Sequence, residues 1–388
     1  MKRLLTLGHS YVVAANRRLA HEMAVVGAGE WEVTCVAPAR YPGDLREIEL
    51  EPLEGEACRT VGVPVRFARK PHLMRWGGEL RRILSERWDV VHAWTEPYVL
   101  SAAQIARAAR PDAKLVYATF QNLPKRYPPP FAQLERRVMR RADAWIAFGR
   151  TVEETLRGRP GYRDRPHAVI PPGVDVARFR PAPEARRRVR AELAWGDEGP
   201  PVVGYLGRFV PEKGLDVLRR AWEMAGPSRL LLVGGGAMEG ELREWAARTG
   251  DSVRVVTGVP HERVPGYLAA MDVLAAPSLT TPRWREQFGR MLIEAMACGV
   301  PVIGSDSGEI PYVVGTAGVV APEGDIAAWR NVLENVVSSS QCRADLARRG
   351  LERARTEYAL PAVARRHLAF FDEILNSSLT RSRGDAEK

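Results

Sequence analysis

No run of roughly 18 consecutive apolar residues occurs, so nothing in the chain reads as a membrane-spanning helix. The opening MKRLLTLGHSYVV is basic, but its apolar stretch breaks at His9 and Ser10, which argues against a signal peptide. Cysteine is scarce: Cys35, Cys58, Cys298 and Cys342 are scattered and form no CxxC pair. That disfavours a disulfide framework or a zinc site and points to a reducing cytoplasm. Low-complexity tracts and short repeats are absent, which removes fibrous and solenoid classes. Lysine is rare as well. Of 57 basic residues only Lys2, Lys70, Lys114, Lys125, Lys213 and Lys388 are lysines.

What is present is ordinary in bulk. The 388 residues exceed one compact core and suit two domains. Hydrophobic residues make up 45% and charged residues 27%, as in typical globular chains. The net charge of +10 is uneven: residues 1–175 hold 28 basic against 20 acidic side chains, the remainder 29 against 27. Residues 66–87 hold seven basic and two acidic, and residues 125–141 six and one. Both segments mix Arg with large apolar side chains. Two readings stand side by side: a solvated face in an Arg-rich chain, or contact with an anionic membrane surface. No nucleic-acid motif accompanies the charge, and no nucleic-acid partner is expected.

Short β-branched runs alternate with amphipathic stretches, and the pattern occurs twice. Strands are expected at 3–7, 32–38, 89–94, 114–120, 144–149 and 167–173, then at 201–207, 229–235, 253–258, 272–278 and 301–306. Helical spacing fills the gaps, including 15–27, 99–110, 214–225 and 289–298. Alternation of this kind gives parallel sheets covered on both faces. The expected architecture is α/β with two doubly wound, Rossmann-like domains facing a cleft. The first is expected over 1–175 and the second over 176–360. The amphipathic segment 361–376 needs an apolar surface and is expected to return to the first domain, with 377–388 a frayed tail. Ligands in such sheets bind at the carboxyl ends of the strands.

Two segments carry chemistry. GYLGRFVPEKGLDVL (204–218) ends a strand in a glycine turn at Gly207, with Arg208 and Lys213 before the next helix. A guanidinium and an ammonium beside a helix start can hold a diphosphate; the alternative is a surface loop with incidental charge. In a chain that uses Arg so heavily, the lone lysine of this loop suggests a need for a compact ammonium. In REQFGRMLIEAMACGVPVIGSDSGEIPYVVG (285–315), Glu286 lies in a loop and Glu294 about 8 Å along the helix that starts near Gly289. Two carboxylates at two depths can accept hydrogen bonds from the hydroxyls of one elongated ligand. The amides of Phe288, Gly289, Arg290 and Met291 are free at the helix start. An internal Glu294–Arg290 ion pair is the alternative account of Glu294.

Together these segments resemble the glycosyltransferase family 4 signature, G-R-x-x-x-E-K-G followed by E-x-F-G-x-x-x-x-E-A-M-A-x-G-x-P-V. The linker VIPPGVDVARFRP, the stretch GVPHERVPGYLAAMDVLAAPS and SGEIPYVVG fit it too, so the resemblance covers nearly the whole chain. It implies a GT-B fold, a nucleotide-diphosphate-sugar donor, retention at the anomeric carbon, and neither metal nor cofactor. Arg208 and Lys213 then hold the diphosphate and stabilise leaving-group charge. Glu294 takes the ribose, Glu286 the transferred sugar, and the backbone at Val259 the base. The glycines around Gly235 bring a strand end close to the ligand. A dinucleotide dehydrogenase is disfavoured, because Glu239 stands where G-x-G-x-x-G needs its last glycine.

The acceptor side is expected in the first domain: Gly8 and His9 after the first strand, Glu96 near the end of the strand DVVHAW, and Gln121. His92 in that strand is either a core histidine or a catalytic one. Many family members have T-x-H where this chain has Thr119-Phe120-Gln121. A glutamine cannot shuttle protons near neutral pH, so Gln121 is expected to position the sugar while the acceptor proton leaves on phosphate. The implied protein is cytoplasmic, either free or peripheral on the membrane's inner face, and glycosylates a saccharide or lipid-linked acceptor. A nucleotide-sugar epimerase or a non-catalytic nucleotide-sugar binder are the alternatives.

Overall fold

The β-branched runs form the strands of two parallel sheets in a computed structural model that describes residues 1–43, 47–196 and 199–386, with side chains described as far as 377. The chain divides into two units, Met1–Gly173 with Leu360–Lys388, and Val174–Ala359. The change of unit at 173/174 falls two residues before the expected boundary.

In the first unit the strands are β1 (Lys2–Gly8), β2 (Trp31–Pro38), β3 (Arg59–Val63), β4 (Val90–Trp94), β5 (Lys114–Thr119), β6 (Ala144–Ala147) and β7 (His167–Val169). They lie in the order β7-β6-β5-β4-β1-β2-β3, all parallel. In the second unit β8 (Val202–Arg208), β9 (Arg229–Gly235), β10 (Val253–Thr257), β11 (Val273–Ala276), β12 (Val302–Ser305) and β13 (Val319–Ala321) lie as β10-β9-β8-β11-β12-β13, again parallel. Both are doubly wound. The order in which strands are added reverses between β1 and β4 in one sheet and between β8 and β11 in the other, and a ligand belongs at the strand ends beside such a switch.

Both faces of each sheet are covered, so neighbouring strand residues enter different cores. Leu4, Val33, Val116 and Ile146 face one layer, and Leu5, Val91, Leu115 and Trp145 the other. The helices used below are α1 (Ala14–Val26), α2 (Gly78–Ser85), α3 (Leu100–Ala108), α4 (Leu215–Met224), α5 (Arg290–Ala297) and α6 (Leu360–Ala386). Helix α6 packs on α1 and the first sheet through Val363, Leu368, Phe371 and Ile374. Its helical backbone runs ten residues beyond 376, where a frayed tail was expected; no proline follows Pro361 to stop it. Residues 387–388 lie outside the described residues. No helix among the described residues is long and apolar enough to cross a membrane.

Candidate functional site

Loop 207–214 leaves β8 at the switch of the second sheet. The Tyr205 hydroxyl donates to the Arg208 carbonyl at 2.7 Å, which pins the turn. Residues Pro211–Lys213 make one 3₁₀ turn, and Gly214 (φ 69°) opens α4 in the left-handed region. A Cβ on Gly214 would sit 1.9 Å from the Pro277 carbonyl oxygen, so only glycine lets this loop lie against the one leaving β11. The Leu279 amide donates to the Glu212 carbonyl at 2.8 Å and joins the two loops.

This join turns Lys213 inward. Its ammonium Nζ donates to Glu286 Oε2 at 2.5 Å, and Ser278 Oγ donates to the same oxygen at 2.9 Å. The Trp284 ring centre lies 4.9 Å from Nζ. Lys213, Glu286 and Ser278 are all buried. Behind them the Glu309 amide donates to the Glu286 carbonyl at 3.1 Å, fixing its backbone. Arg208 is placed differently. Its side chain is 64% exposed and, among the described residues, reaches only Glu212, at 3.9 Å. The two cations thus differ: a buried, paired ammonium and an exposed guanidinium held only by a long ion pair.

Glu294, on α5, is 8% exposed. Its carboxylate makes no hydrogen bond and no ion pair with any described residue, so the Glu294–Arg290 pair does not form. Burial raises its pKa to about 7, against the pull of Arg290 and Arg178. An unpartnered carboxylate this deep is costly unless a ligand completes it. Gly289 (φ 81°) caps α5. The Phe288 ring is core, edge-on to Tyr358 with ring centres 5.8 Å apart, which leaves only its backbone for a ligand. Arg290 is exposed, and Met291 and Val259 are half-buried. The Gly235 carbonyl accepts from the Phe209 amide at 2.8 Å. A Cβ at Gly234 would lie 1.8 Å from the Gly207 carbonyl oxygen. Close strand-end packing thus requires Gly234, whereas a Cβ on Gly235 would meet nothing nearer than the Glu239 carboxylate at 3.9 Å.

At the switch of the first sheet, Gly8 pairs with Trp94. His9 follows in a 3₁₀ turn with its ring 5.5 Å from Tyr41, and burial lowers its pKa, favouring the neutral imidazole. Glu96 does not present a free carboxylate: Oε2 accepts from the Thr119 hydroxyl at 2.6 Å and Oε1 from the Phe120 amide at 2.8 Å. It clamps the end of β5. Gln121, in the turn that follows, donates from Nε2 to the Leu123 carbonyl at 2.6 Å, which leaves its side-chain carbonyl for other partners. His92 is fully buried, with Nδ1 3.1 Å from Thr6 Oγ1, and it fits the core reading. Sequence reasoning missed Ser278 and Trp284; the end of the strand DVLAAPS beside the sheet's switch was the available signal. Among the described residues no group of three or more His, Cys, Asp or Glu comes together to hold a metal.

Known proteins match along most of the chain. Residues 200–339 match the family described as Glycosyl transferases group 1, and residues 12–178 match Glycosyltransferase Family 4. A Mycolicibacterium smegmatis relative, named GDP-mannose-dependent alpha-(1-6)-phosphatidylinositol monomannoside mannosyltransferase, is 40% identical over 41% of this chain and 44% of its own length. A Salinispora arenicola relative, named D-inositol 3-phosphate glycosyltransferase, is 30% identical over 79% of this chain and 68% of its own. The matched region thus spans under half of the first relative and about two thirds of the second. Among solved structures, sucrose-phosphate synthase from Thermosynechococcus elongatus superposes with a TM-score of 0.73 at 21% identity, covering 97% of this chain and all of that one. The Anabaena protein HepE, solved with UDP, gives 0.72 at 20% identity, covering 96% of this chain and all of the other. The chain belongs to glycosyltransferase family 4 and has the GT-B fold class, two Rossmann-like domains of parallel sheet.

Proposed function

We propose that the protein is a retaining, metal-independent glycosyltransferase that moves a sugar from a nucleotide-diphosphate-sugar to an acceptor hydroxyl. The observation that carries this reading is the buried Lys213–Glu286–Ser278 cluster at the switch of the second sheet, with the unpartnered Glu294 on the helix that follows. The donor is assigned to this unit. Its diphosphate takes hydrogen bonds from Lys213, and Arg208 swings in to supply the second positive charge. Lys213 and Glu286 alone are neutral together, so the guanidinium is what balances the incoming anion. Glu286, released from the ammonium, accepts from hydroxyls of the transferred sugar. Glu294 accepts from the ribose diol, as an ionised carboxylate with two donors before it.

Transfer breaks the bond between the anomeric carbon and the β-phosphate oxygen and forms one to the acceptor oxygen. The acceptor proton passes to the departing phosphate. Lys213 and Arg208 stabilise the charge that grows on that oxygen, the part a divalent cation plays elsewhere. Retention is supported by the family assignment. The first unit is assigned to the acceptor, with Gln121 positioned by the Glu96 clamp. Both lipid-linked and soluble acceptors occur among the names of the relatives, and the basic surface of this unit supports a lipid-linked one met at an anionic membrane face in the cytoplasm.

A thermal-shift panel of UDP-, GDP- and ADP-sugars tests the donor assignment, since a bound donor stabilises the folded form. Product analysis with and without acceptor follows. Conversion of the donor with no acceptor present would mark an epimerase instead, and binding without turnover a non-catalytic protein.

A further inference from the structure

Residues 65–76 form a small hairpin on the first unit. Val65–Arg66 and Arg75–Trp76 pair antiparallel. Its base is rigid. Gln104 on α3 takes both backbone groups of Trp76, accepting from its amide at 2.8 Å and donating to its carbonyl at 2.9 Å. The Gly77 amide donates to the Pro64 carbonyl at 2.7 Å, and the Trp76 side chain is buried.

The tip is built against ordinary economy. Phe67 has φ 57°, a left-handed backbone that a bulky residue seldom adopts, and it is 68% exposed. A glycine or asparagine would close the same turn without strain and without an aromatic ring in water. Phe67 borders two surface cavities: one of about 910 Å³ that Arg69, Lys70, Leu73 and Glu47 also line, and one of about 620 Å³ that Arg66, Arg75, Trp76 and Glu79 also line. Arg66, Arg69, Lys70 and Arg75 are exposed, and their side chains make no ion pair or hydrogen bond with any described residue. Across the larger cavity Arg40 is already held by Glu49 at 2.9 Å, so the available cations sit on the hairpin itself. An apolar plug inside a collar of long cationic side chains, with room between them for headgroups, matches an anionic bilayer in both shape and charge. A hairpin tip is small for a stable protein–protein interface.

We propose that this hairpin docks the protein on an anionic lipid bilayer: Phe67 enters the acyl boundary while Arg66, Arg69, Lys70 and Arg75 bind headgroup phosphates. The proposal deepens the membrane contact in the proposed function and rests on that reading of the first unit, while the donor chemistry is independent of it.

The test is flotation of the full-length protein with phosphatidylcholine vesicles, with and without phosphatidylglycerol. The variants are Phe67→Asn and the double change Arg69→Ser, Lys70→Ser. Asparagine tolerates the left-handed backbone, so the turn keeps its shape, and an unchanged melting temperature verifies this. The protein should bind only the anionic vesicles. Phe67→Asn should weaken binding roughly tenfold or more, and the double change roughly thirtyfold. The proposal is overturned if the wild type ignores anionic vesicles, as it would if the collar served an acidic protein partner. It is also overturned if Phe67→Asn binds as well as wild type, the mark of attraction by charge alone. Donor-induced thermal shifts in the same variants separate the two readings. A shift retained without vesicle binding sinks the docking alone, and vesicle binding without any donor shift sinks the transferase reading alone.

Discussion

The Lys213 ammonium and the Glu286 carboxylate, 73 positions apart in sequence, meet at 2.5 Å in a buried ion pair that also takes a hydrogen bond from Ser278. Each residue therefore holds the other in place before a donor arrives. The pair is neutral, so neither partner is a stranded buried charge, and an incoming diphosphate competes with Glu286 for the ammonium.

The pairing separates the two basic residues of the loop experimentally. Lys213→Ala leaves Glu286 buried without its cation and should cost about 3–5 kcal/mol of stability. Arg208→Ala removes an exposed side chain and should leave the melting temperature unchanged. Both should slow transfer by roughly 10²–10³. Thermal melts beside single-turnover rates check this; equal stability of the two variants would contradict the buried pair.

Glu294 makes a pH-dependent prediction. Its pKa is raised from 4.5 to about 7, so between those values the folded chain holds a proton that the unfolded chain has lost. Stability contributed by the protonated group is complete below pH 4.5 and is lost as pH rises through 7. Glu294→Gln should abolish that slope and gain on the order of 3 kcal/mol at about pH 8. Donor affinity should run the other way. The ribose diol binds the carboxylate, so wild-type affinity climbs with pH up to about 7 and then levels, while the Gln variant is flat and weaker by roughly tenfold or more. Melts and donor titrations across this range measure both slopes.

Glu96 should act through the turn it clamps. Glu96→Ala frees the Thr119 hydroxyl and the Phe120 amide and should cost about 1–3 kcal/mol. Turnover should fall more than acceptor affinity, because Gln121 loses its fixed place. Gln121→Ala should reproduce the loss of turnover without the loss of stability. If Gln121→Ala and Gln121→His both turn over like wild type, the position has no part in transfer.

Helix α6 completes the core of the first unit. Phe371 is fully buried and lies 6.2 Å from Trp31 and 5.3 Å from His92, ring centre to ring centre. Phe371→Ala should cost about 3–5 kcal/mol, and removal of residues 360–388 should leave the first unit unable to fold. Limited proteolysis reports which unit opens.

Much of this was legible in the sequence, for identifiable reasons. Two runs of strand–helix alternation, such as PVVGYLG followed by the helical spacing of 214–225, give doubly wound sheets because each strand is apolar on both sides. The long G-R-x-x-x-E-K-G and E-x-F-G signatures located the loops that carry Lys213 and Glu286 and the helix that carries Glu294. Edge strands escaped: RTVGV (59–63) and VVA (319–321) are short, and the first carries an arginine and a glycine, so neither stands out from a loop. Contacts between the ends of neighbouring strands escaped as well. Nothing in the spacing of Lys213 and Glu286 joins them, and Glu96 looked like a free cleft carboxylate because its partners come from another strand. The hairpin at Phe67 was visible only as a basic segment, since exposure and backbone sign are properties of the fold.

The most direct measurement is the structure of the protein with the nucleoside diphosphate-sugar that stabilises it best. The account predicts diphosphate oxygens within hydrogen-bonding distance of both Lys213 Nζ and the Arg208 guanidinium, with Glu294 on the ribose hydroxyls. A diphosphate bound beyond reach of both cations, with the Lys213–Glu286 pair undisturbed, would contradict it.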